Sequence, residues 1–292
     1  MAELNVRSIS KELKAGIGKE VADIVASGAR PPHLAAIMVG DNPASKAYVG
    51  NKVKTCEELG IKSTLLHFET GITQEELVEV IRRLNADDEV DGFILQLPLP
   101  DHLDPQALLL EIDPNKDVDG FHPMNFGKMA LSLPAFLPAT PYGIVMLIEY
   151  LGLDLSGKKE AVLGRSDIVG TPISLLLSRK APYGNATVTL LHSRSKNIKE
   201  ELLAADVIVA AIGIPHYVKE DMVKEGSTIF DVGINRIPDP MAKSGSRLVG
   251  DVDFEQVKDK AAWITPVPGG IGLMTIVSLI RNTLDAYKNR RN

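Results

Sequence analysis

The sequence predicts an α/β fold in two parts, and three observations carry that prediction. Short apolar runs alternate with segments of helical period along nearly all of the 292 residues, the pattern of parallel strands covered by helices. The alternation breaks once, from Leu133 to Tyr142, where Pro134, Pro138 and Pro141 gather among few charges, and then restarts. Hydrophobic residues make up 45% of the chain and charged residues 24%, which supplies a buried core, while no stretch approaches the ~18 apolar residues of a membrane span.

Residues 5 to 27 place Ile9, Leu13, Ile17, Val21 and Ile24 at three- and four-residue spacing, a helix that Gly28 and the Pro31-Pro32 pair end. A buried strand follows at 34 to 40, a helix from about Ala44 to Leu59, and a strand from Lys62 to Phe68. Thr73 with Glu76 three residues later is a capping-box pattern that opens a helix over 73 to 85. GFILQLPLP, residues 92 to 100, reads as a buried strand running into a proline-rich turn. Beyond the break, strands are expected at 161 to 164, 186 to 192, 206 to 213, 227 to 233 and 263 to 267, with helices around 169 to 180, 197 to 204, 219 to 223 and 253 to 260. A last helix from about Met274 to Tyr287 carries Ile276, Leu279, Ile280 and Leu284 on one stripe and must pack on something.

Composition excludes several functions. A net charge of -6 opposes a nucleic-acid footprint, which needs clustered Lys and Arg on one surface. The single cysteine, Cys56, rules out an internal disulfide framework and a thiolate metal cluster, and the six histidines stand at no metal-site spacing, so no metal is expected. The first residues lack the basic start, apolar stretch and cleavage site of a secretory signal, and the chain is expected to be cytoplasmic.

Several segments carry chemistry. AVLGRSDIVGTP (161 to 172) is a strand, a glycine turn and a helix start, where free amides and the helix dipole favour a phosphate. Its Gly164 and Gly170 do not match G-x-G-x-x-G, so an ordinary strand-to-helix turn also fits. The next strand ends in His192-Ser193-Arg194-Ser195, where dinucleotide folds meet the adenosine ribose. Arg165, Ser193 and Arg194, with no acidic residue at that strand end, suggest NADP. Tyr48 and Lys52, four apart, project from nearly one helix face, as a site or as a plain surface pair. The Tyr-x-x-x-Lys dyad of short-chain dehydrogenases is a poor match, because that dyad follows the nucleotide loop and this one precedes it. Gln96 interrupts an apolar run, and a buried amide must find partners or cost stability. In IDPNKDVDGFHP (112 to 123), Asp113 and Asp117 fit turn or cap roles, while Asp119 before Gly120 fits a turn or a site equally. PVPGGIG (266 to 272) is rich enough in glycine to be a ligand rim or a tight domain crossover.

Taken in order, SKAYVGNK, GFILQLPLP, KDVDGFHPMNFG, LGRSDIVGTP, HSRS, DVGINR, GDVDF and PVPGGIGLMT resemble the methylenetetrahydrofolate dehydrogenase/cyclohydrolase family over nearly the whole chain. Two departures stand out: Ala139-Thr140-Pro141 where the family usually reads Cys-Thr-Pro, and Gly272-Leu273-Met274-Thr275 where it usually reads Gly-Pro-Met-Thr. The first loses no acid/base group, and the second replaces a residue of fixed φ beside the glycine rim.

The resemblance implies two α/β lobes facing across a cleft, the second a Rossmann-type domain with a parallel sheet. Residues 1 to 139 would form the folate-binding and catalytic domain, completed by a returning C-terminal helix at about 272 to 292, and residues 140 to 271 the NADP domain. It implies a homodimer acting on one-carbon derivatives of tetrahydrofolate: oxidation of 5,10-methylenetetrahydrofolate by NADP, then hydrolysis of the methenyl product to 10-formyltetrahydrofolate. Lys52, Gln96 and Asp119 are the implied catalytic residues, and Ser45, Tyr48, Pro268 and Gly269 the substrate-binding ones. Gly164, Arg165, Ser166, Ser193, Arg194 and Ile234 would bind the cofactor. Oxidation needs the donor carbon held against the nicotinamide rather than a strong base. Hydrolysis needs water activation, for which Lys52 is placed if burial and a cationic substrate lower its pKa. A dehydrogenase without hydrolase activity and an inactive NADP-binding scaffold are the competing readings.

Overall fold

The structure, a computed structural model, describes residues 3–242 and 245–291 and divides into two compact units. One comprises Lys11–Ala139 and Ile276 onward, the other the described residues up to Ser10 together with Thr140–Thr275.

Helix α1 (Val6–Ala26), which belongs to the first unit from Lys11 on, buries Ile9, Ile17 and Val21 of its predicted stripe and stops before Gly28, whose φ of 84° suits glycine. Strand β1 (His33–Val39) is buried at every position, as expected of a strand with neighbours on both edges and cover on both faces. Helix α2 (Pro43–Glu58) starts on Asn42, whose Oδ1 accepts from the amides of Ala44 at 2.9 Å and Ser45 at 3.2 Å. Strand β2 (Lys62–Phe68), helix α3 (Gln74–Ala86) and strand β3 (Gly92–Leu95) complete a parallel sheet of order β2-β1-β3. Thr73 and Glu76 form the full capping box at the start of α3. Ile37, Leu77, Ile81, Phe93, Leu95 and Leu108 form the core between sheet and helices. Helices α4 (Pro105–Leu110) and α5 (Pro123–Ala130), and α6 (Ala139–Tyr150), which from Thr140 on belongs to the second unit, lie where no helix was expected. The strand expected over 92 to 100 ends at Leu95, because Pro98 and Pro100 bring no amide to a ladder.

The second unit holds strands β4 (Lys159–Leu163), β5 (Thr187–Leu191), β6 (Val207–Ala210), β7 (Thr228–Asp231), β8 (Asn235–Pro238), β9 (Ser246–Val249) and β10 (Trp263–Ile264). Five of them form a parallel sheet of order β10-β7-β6-β4-β5, and β8 and β9 pair antiparallel as a separate ribbon. Helices α7 (Gly170–Ser178), α8 (Ile198–Ala204) and α9 (Phe254–Val257) connect them, and Leu163, Ile208, Ala210, Ile229 and Ile264 centre one core. The helix expected at 219 to 223 is a single 3-10 turn at Glu220–Met222, the one at 253 to 260 is α9 alone, and the strand expected at 263 to 267 spans two residues.

Helix α10 (Ile271–Asn289) buries Ile276, Leu279, Ile280 and Leu284, and these belong to the first unit. There Asn282 donates from Nδ2 to the carbonyls of Val118 at 2.8 Å and Leu137 at 3.0 Å, and Arg281 pairs with Glu20 at 2.6 Å. The last helix thus fastens the segment that carries Asp119.

Candidate active site

Ser45, Tyr48 and Lys52 fall at i, i+3 and i+7 of α2 and share one face. Ser45 and Lys52 are buried and Tyr48 half-buried, although the surrounding positions 46, 47, 50 and 51 are exposed. Lys52 is only 3% exposed and has no carboxylate in hydrogen-bonding contact. Its Nζ donates to Gln96 Oε1 at 3.2 Å and sits 4.7 Å from the centre of the Tyr48 ring. Burial pulls its pKa below the usual lysine range, and the nearby negative charge of Asp119 partly restores it.

Gln96 follows the last residue of β3, and its amide N–H donates to the Ile37 carbonyl at 2.9 Å, so the ladder fixes its backbone one step past the strand. It is half-buried rather than fully enclosed, which corrects the expectation of a strand-interior amide. Its Nε2 donates to the Leu97 carbonyl at 2.7 Å, which orients the amide and leaves Oε1 for Lys52.

Two aspartates two residues apart have different duties. Asp117, 1% exposed, accepts from the amides of Gly120 at 3.1 Å, Phe121 at 3.3 Å and His122 at 2.8 Å and from Asn125 Nδ2 at 3.0 Å. It builds the turn. Asp113 likewise caps the amide of Asn115. The side chain of Asp119 accepts no hydrogen bond from any described residue, while its backbone carbonyl accepts from Ala139 N at 3.1 Å. Burial raises its pKa, against the pull of Lys52. Gly120 has φ 74°, and a Cβ there would lie 2.6 Å from the Leu137 carbonyl carbon, so the turn after Asp119 admits only glycine. The structure therefore brings Lys52, Gln96, Asp119 and Tyr48 into one electrostatic neighbourhood of the first unit.

The remaining predicted residues belong to the second unit. Gly164, at φ 122°, sits where a Cβ would come 2.0 Å from the Ala211 carbonyl, and a Cβ on Gly170 would come 1.9 Å from the Gly164 carbonyl. Both glycines serve the close packing of the β4–α7 turn. Ser166 Oγ accepts from the amides of Val169 at 3.3 Å and Gly170 at 3.4 Å, tightening that turn. Arg165 and Ser166 after β4, and Ser193 and Arg194 after β5, are exposed, and no carboxylate stands between Leu191 and Lys199. This donor set fits a nucleotide with a ribose phosphate: strand exits at the carboxyl edge of an open parallel sheet, two arginines and a helix start. Ile234 is 61% exposed on the exit of β7. Pro268 and Gly269 line a cavity of about 400 Å³ with Leu4, Arg7 and Pro266.

Sequence reasoning assigned no role to Asp231 and Asp251, although both lie in quoted motifs. Both are buried and satisfied by amides, and their burial could be found only from the fold. Among the described residues no group of three His, Cys, Asp or Glu could hold a metal ion.

Comparison with known proteins covers nearly the whole chain. The Tetrahydrofolate dehydrogenase/cyclohydrolase catalytic-domain profile matches residues 4–119, and the NAD(P)-binding-domain profile of the same family matches residues 138–291. The Bifunctional protein FolD of Flavobacterium johnsoniae is 53% identical over 290 residues, 99% of this chain and 98% of that protein. The crystal structure of the bifunctional FolD methylenetetrahydrofolate dehydrogenase/cyclohydrolase of Campylobacter jejuni superposes with a TM-score of 0.92 at 44% identity, covering 99% of each chain. The Trypanosoma brucei methylenetetrahydrofolate dehydrogenase-cyclohydrolase, solved with NADP and an inhibitor, gives 0.93 at 34% identity, covering 99% of this chain and 98% of that one.

Proposed function

The chain belongs to the tetrahydrofolate dehydrogenase/cyclohydrolase family, and on that premise we propose that Lys52 is the group that manages water and protons in its hydrolytic step. The enzyme is bifunctional: it oxidises 5,10-methylenetetrahydrofolate with NADP and hydrolyses the methenyl product to 10-formyltetrahydrofolate. The observation that carries the role of Lys52 is its burial against Gln96, with a pKa drawn down toward the range where an amine can take a proton.

Bound NADP supplies the hydride acceptor. The residues around Lys52 do the rest. The methenyl substrate is a cation, and its approach lowers the Lys52 pKa further by like-charge repulsion. Neutral Nζ then takes a proton from water as its oxygen bonds to the methenyl carbon. Nζ returns that proton to the ring nitrogen N5 as its bond to that carbon breaks, and the hydroxyl left on the carbon releases its own proton to solvent, so that a formyl group remains on N10. Gln96, its amide fixed through Leu97, holds Nζ on line for both transfers. Asp119, with acceptor capacity to spare, takes the amino-pyrimidine end of the pterin, and Tyr48 lays its ring against the ligand, with Ser45 as a further substrate contact. Gly164, Arg165, Ser166, Ser193, Arg194 and Ile234 hold NADP, the arginines on the 2′-phosphate.

We take the Lys11–Ala139 unit with the end of α10 as the folate half, and the protein as a cytoplasmic homodimer. No helix among the described residues is long and apolar enough to cross a membrane. The test is to follow two signals with the purified protein: NADP reduction on adding 5,10-methylenetetrahydrofolate, and loss of methenyltetrahydrofolate absorbance without NADP. Both are expected. Oxidation with hydrolysis no faster than the spontaneous reaction would leave a dehydrogenase alone.

A further inference from the structure

Two aspartates at the carboxyl edge of the five-stranded sheet lie outside the chemistry above. Asp231 ends β7 and is 3% exposed, and Asp251, two residues past β9, is 0% exposed. Neither has a Lys or Arg partner among the described residues, so backbone and side-chain amides alone compensate their burial. Asp251 Oδ2 accepts from the amides of Ile212 at 2.7 Å and Gly213 at 2.8 Å, and its Oδ1 from Asn235 Nδ2 at 2.8 Å. Asp231 Oδ1 accepts from Gly233 N at 3.0 Å and Asp251 N at 2.9 Å, and its Oδ2 from Val252 N at 3.0 Å. The sequence makes room for both carboxylates: a Cβ on Gly233 would lie 2.3 Å from Asp251 Oδ1, and one on Gly250 would lie 1.7 Å from Asp231 Oδ2.

One carboxylate thus ties the exit of β6, at Ile212–Gly213, to the start of β8, at Asn235, where the short link after β7 ends, and a second carboxylate fixes the first. Each tethered segment presents an outward isoleucine, Ile214 at 41% and Ile234 at 61% exposure. A buried carboxylate is an expensive way to satisfy amides that a turn could satisfy internally. What it adds is a fixed relation between loops far apart in sequence. The carboxyl edge of a doubly wound parallel sheet is where a dinucleotide lies, and rigid apolar side chains there meet its flat rings without a cost in ordering.

We propose that Asp251, itself held by Asp231, is a positioning residue for NADP: it sets the loops that carry Ile214 and Ile234. This rests on NADP binding to the second unit, as proposed above. Asp251→Asn tests it, because the amide oxygen keeps the Ile212 and Gly213 bonds while its NH2 meets the NH2 of Asn235, donor against donor. The expected result is a Kd for NADP, measured by calorimetry on the full chain, weakened about tenfold, with methenyl hydrolysis in the absence of NADP at the parental rate. Combining Asp251→Asn with Asn235→Asp restores a donor–acceptor pair and should return the Kd to within about threefold of the parent. An unchanged Kd in the single variant would overturn the inference, and so would a swapped pair that binds no better than the single variant. A loss of hydrolysis in step with thermal stability in both would also overturn it, by showing a scaffold role only. If the parent itself bound no NADP, the functional reading beneath the inference would be what fails.

Discussion

Replacing Glu160 by glutamine should make the second unit more stable at alkaline pH and leave it nearly unchanged at acid pH. Glu160 is the second residue of β4 and 1% exposed, and neither carboxyl oxygen has a hydrogen-bond partner among the described residues. Burial raises its pKa from 4.5 to about 8. The sign follows from linkage: a raised folded pKa means the folded chain holds a proton that the unfolded chain releases above 4.5. The neutral carboxyl therefore adds stability that is complete below that value and is lost as pH rises through about 8. At about 1.4 kcal/mol per unit, ionisation costs on the order of 5 kcal/mol between the two limits. Glutamine presents a neutral group of the same shape at every pH, so other titrating groups cancel in the difference between the proteins. Urea unfolding followed by the fluorescence of Trp263, on β10 of the same sheet and the single tryptophan of the chain, should show a variant-minus-parent gap near zero at about pH 4. The gap should grow by about 1.4 kcal/mol per unit toward pH 8 and then level. Parallel stability curves from pH 5 to pH 9 would refute the reasoning, since they would mean that Glu160 ionises without cost.

Asp119→Ala should weaken binding of a folate by ~1.5 to 3 kcal/mol, tenfold or more, and leave NADP affinity unchanged, because its carboxyl has no internal hydrogen bond to replace the lost one. Equal folate affinity by calorimetry would remove it from the site. Replacing Arg165 and Arg194 together by serine should abolish a strong preference for NADP over NAD, read as the ratio of kcat/KM values, because it removes both guanidiniums of the β4 and β5 exits that can fork onto a ribose phosphate. A parent that uses both cofactors equally would contradict the assignment.

Local signals made much of the fold legible. The Thr73–Glu76 capping box and the Ile276, Leu279, Ile280 and Leu284 stripe each state a helix by themselves, and both stand as read. Helix α6 was hidden by its own Pro141: a proline there reads as a break, yet in the first turn its missing N–H has no bond to lose. The ribbon of β8 and β9 is four residues a side, half exposed, and carries no apolar alternation to announce it. In the site, Tyr48 and Lys52 were readable because helical spacing places them together. The contact of Lys52 with Gln96 spans 44 residues and depends on β3 pairing with β1 so that Gln96 reaches Ile37. Spacing could not supply it. Asp117 and Asp119 look alike in sequence, and only the amides converging on Asp117 show that it builds the turn, whereas the side chain of Asp119 accepts none of them.

The assignment of proton handling to Lys52 is tested most directly by Lys52→Met, assayed for both reactions in one preparation with folate binding measured alongside. Methionine matches the length and suits the buried site but carries no proton, and a positioned proton-transfer group is worth about 10² to 10⁴ in rate. Oxidation depends on placement of the donor carbon and should fall only partly. The expected enzyme still reduces NADP while methenyltetrahydrofolate accumulates, visible by its own absorbance. Hydrolysis at the parental rate, or loss of both activities together with folate binding intact, would contradict the separate role given to Lys52.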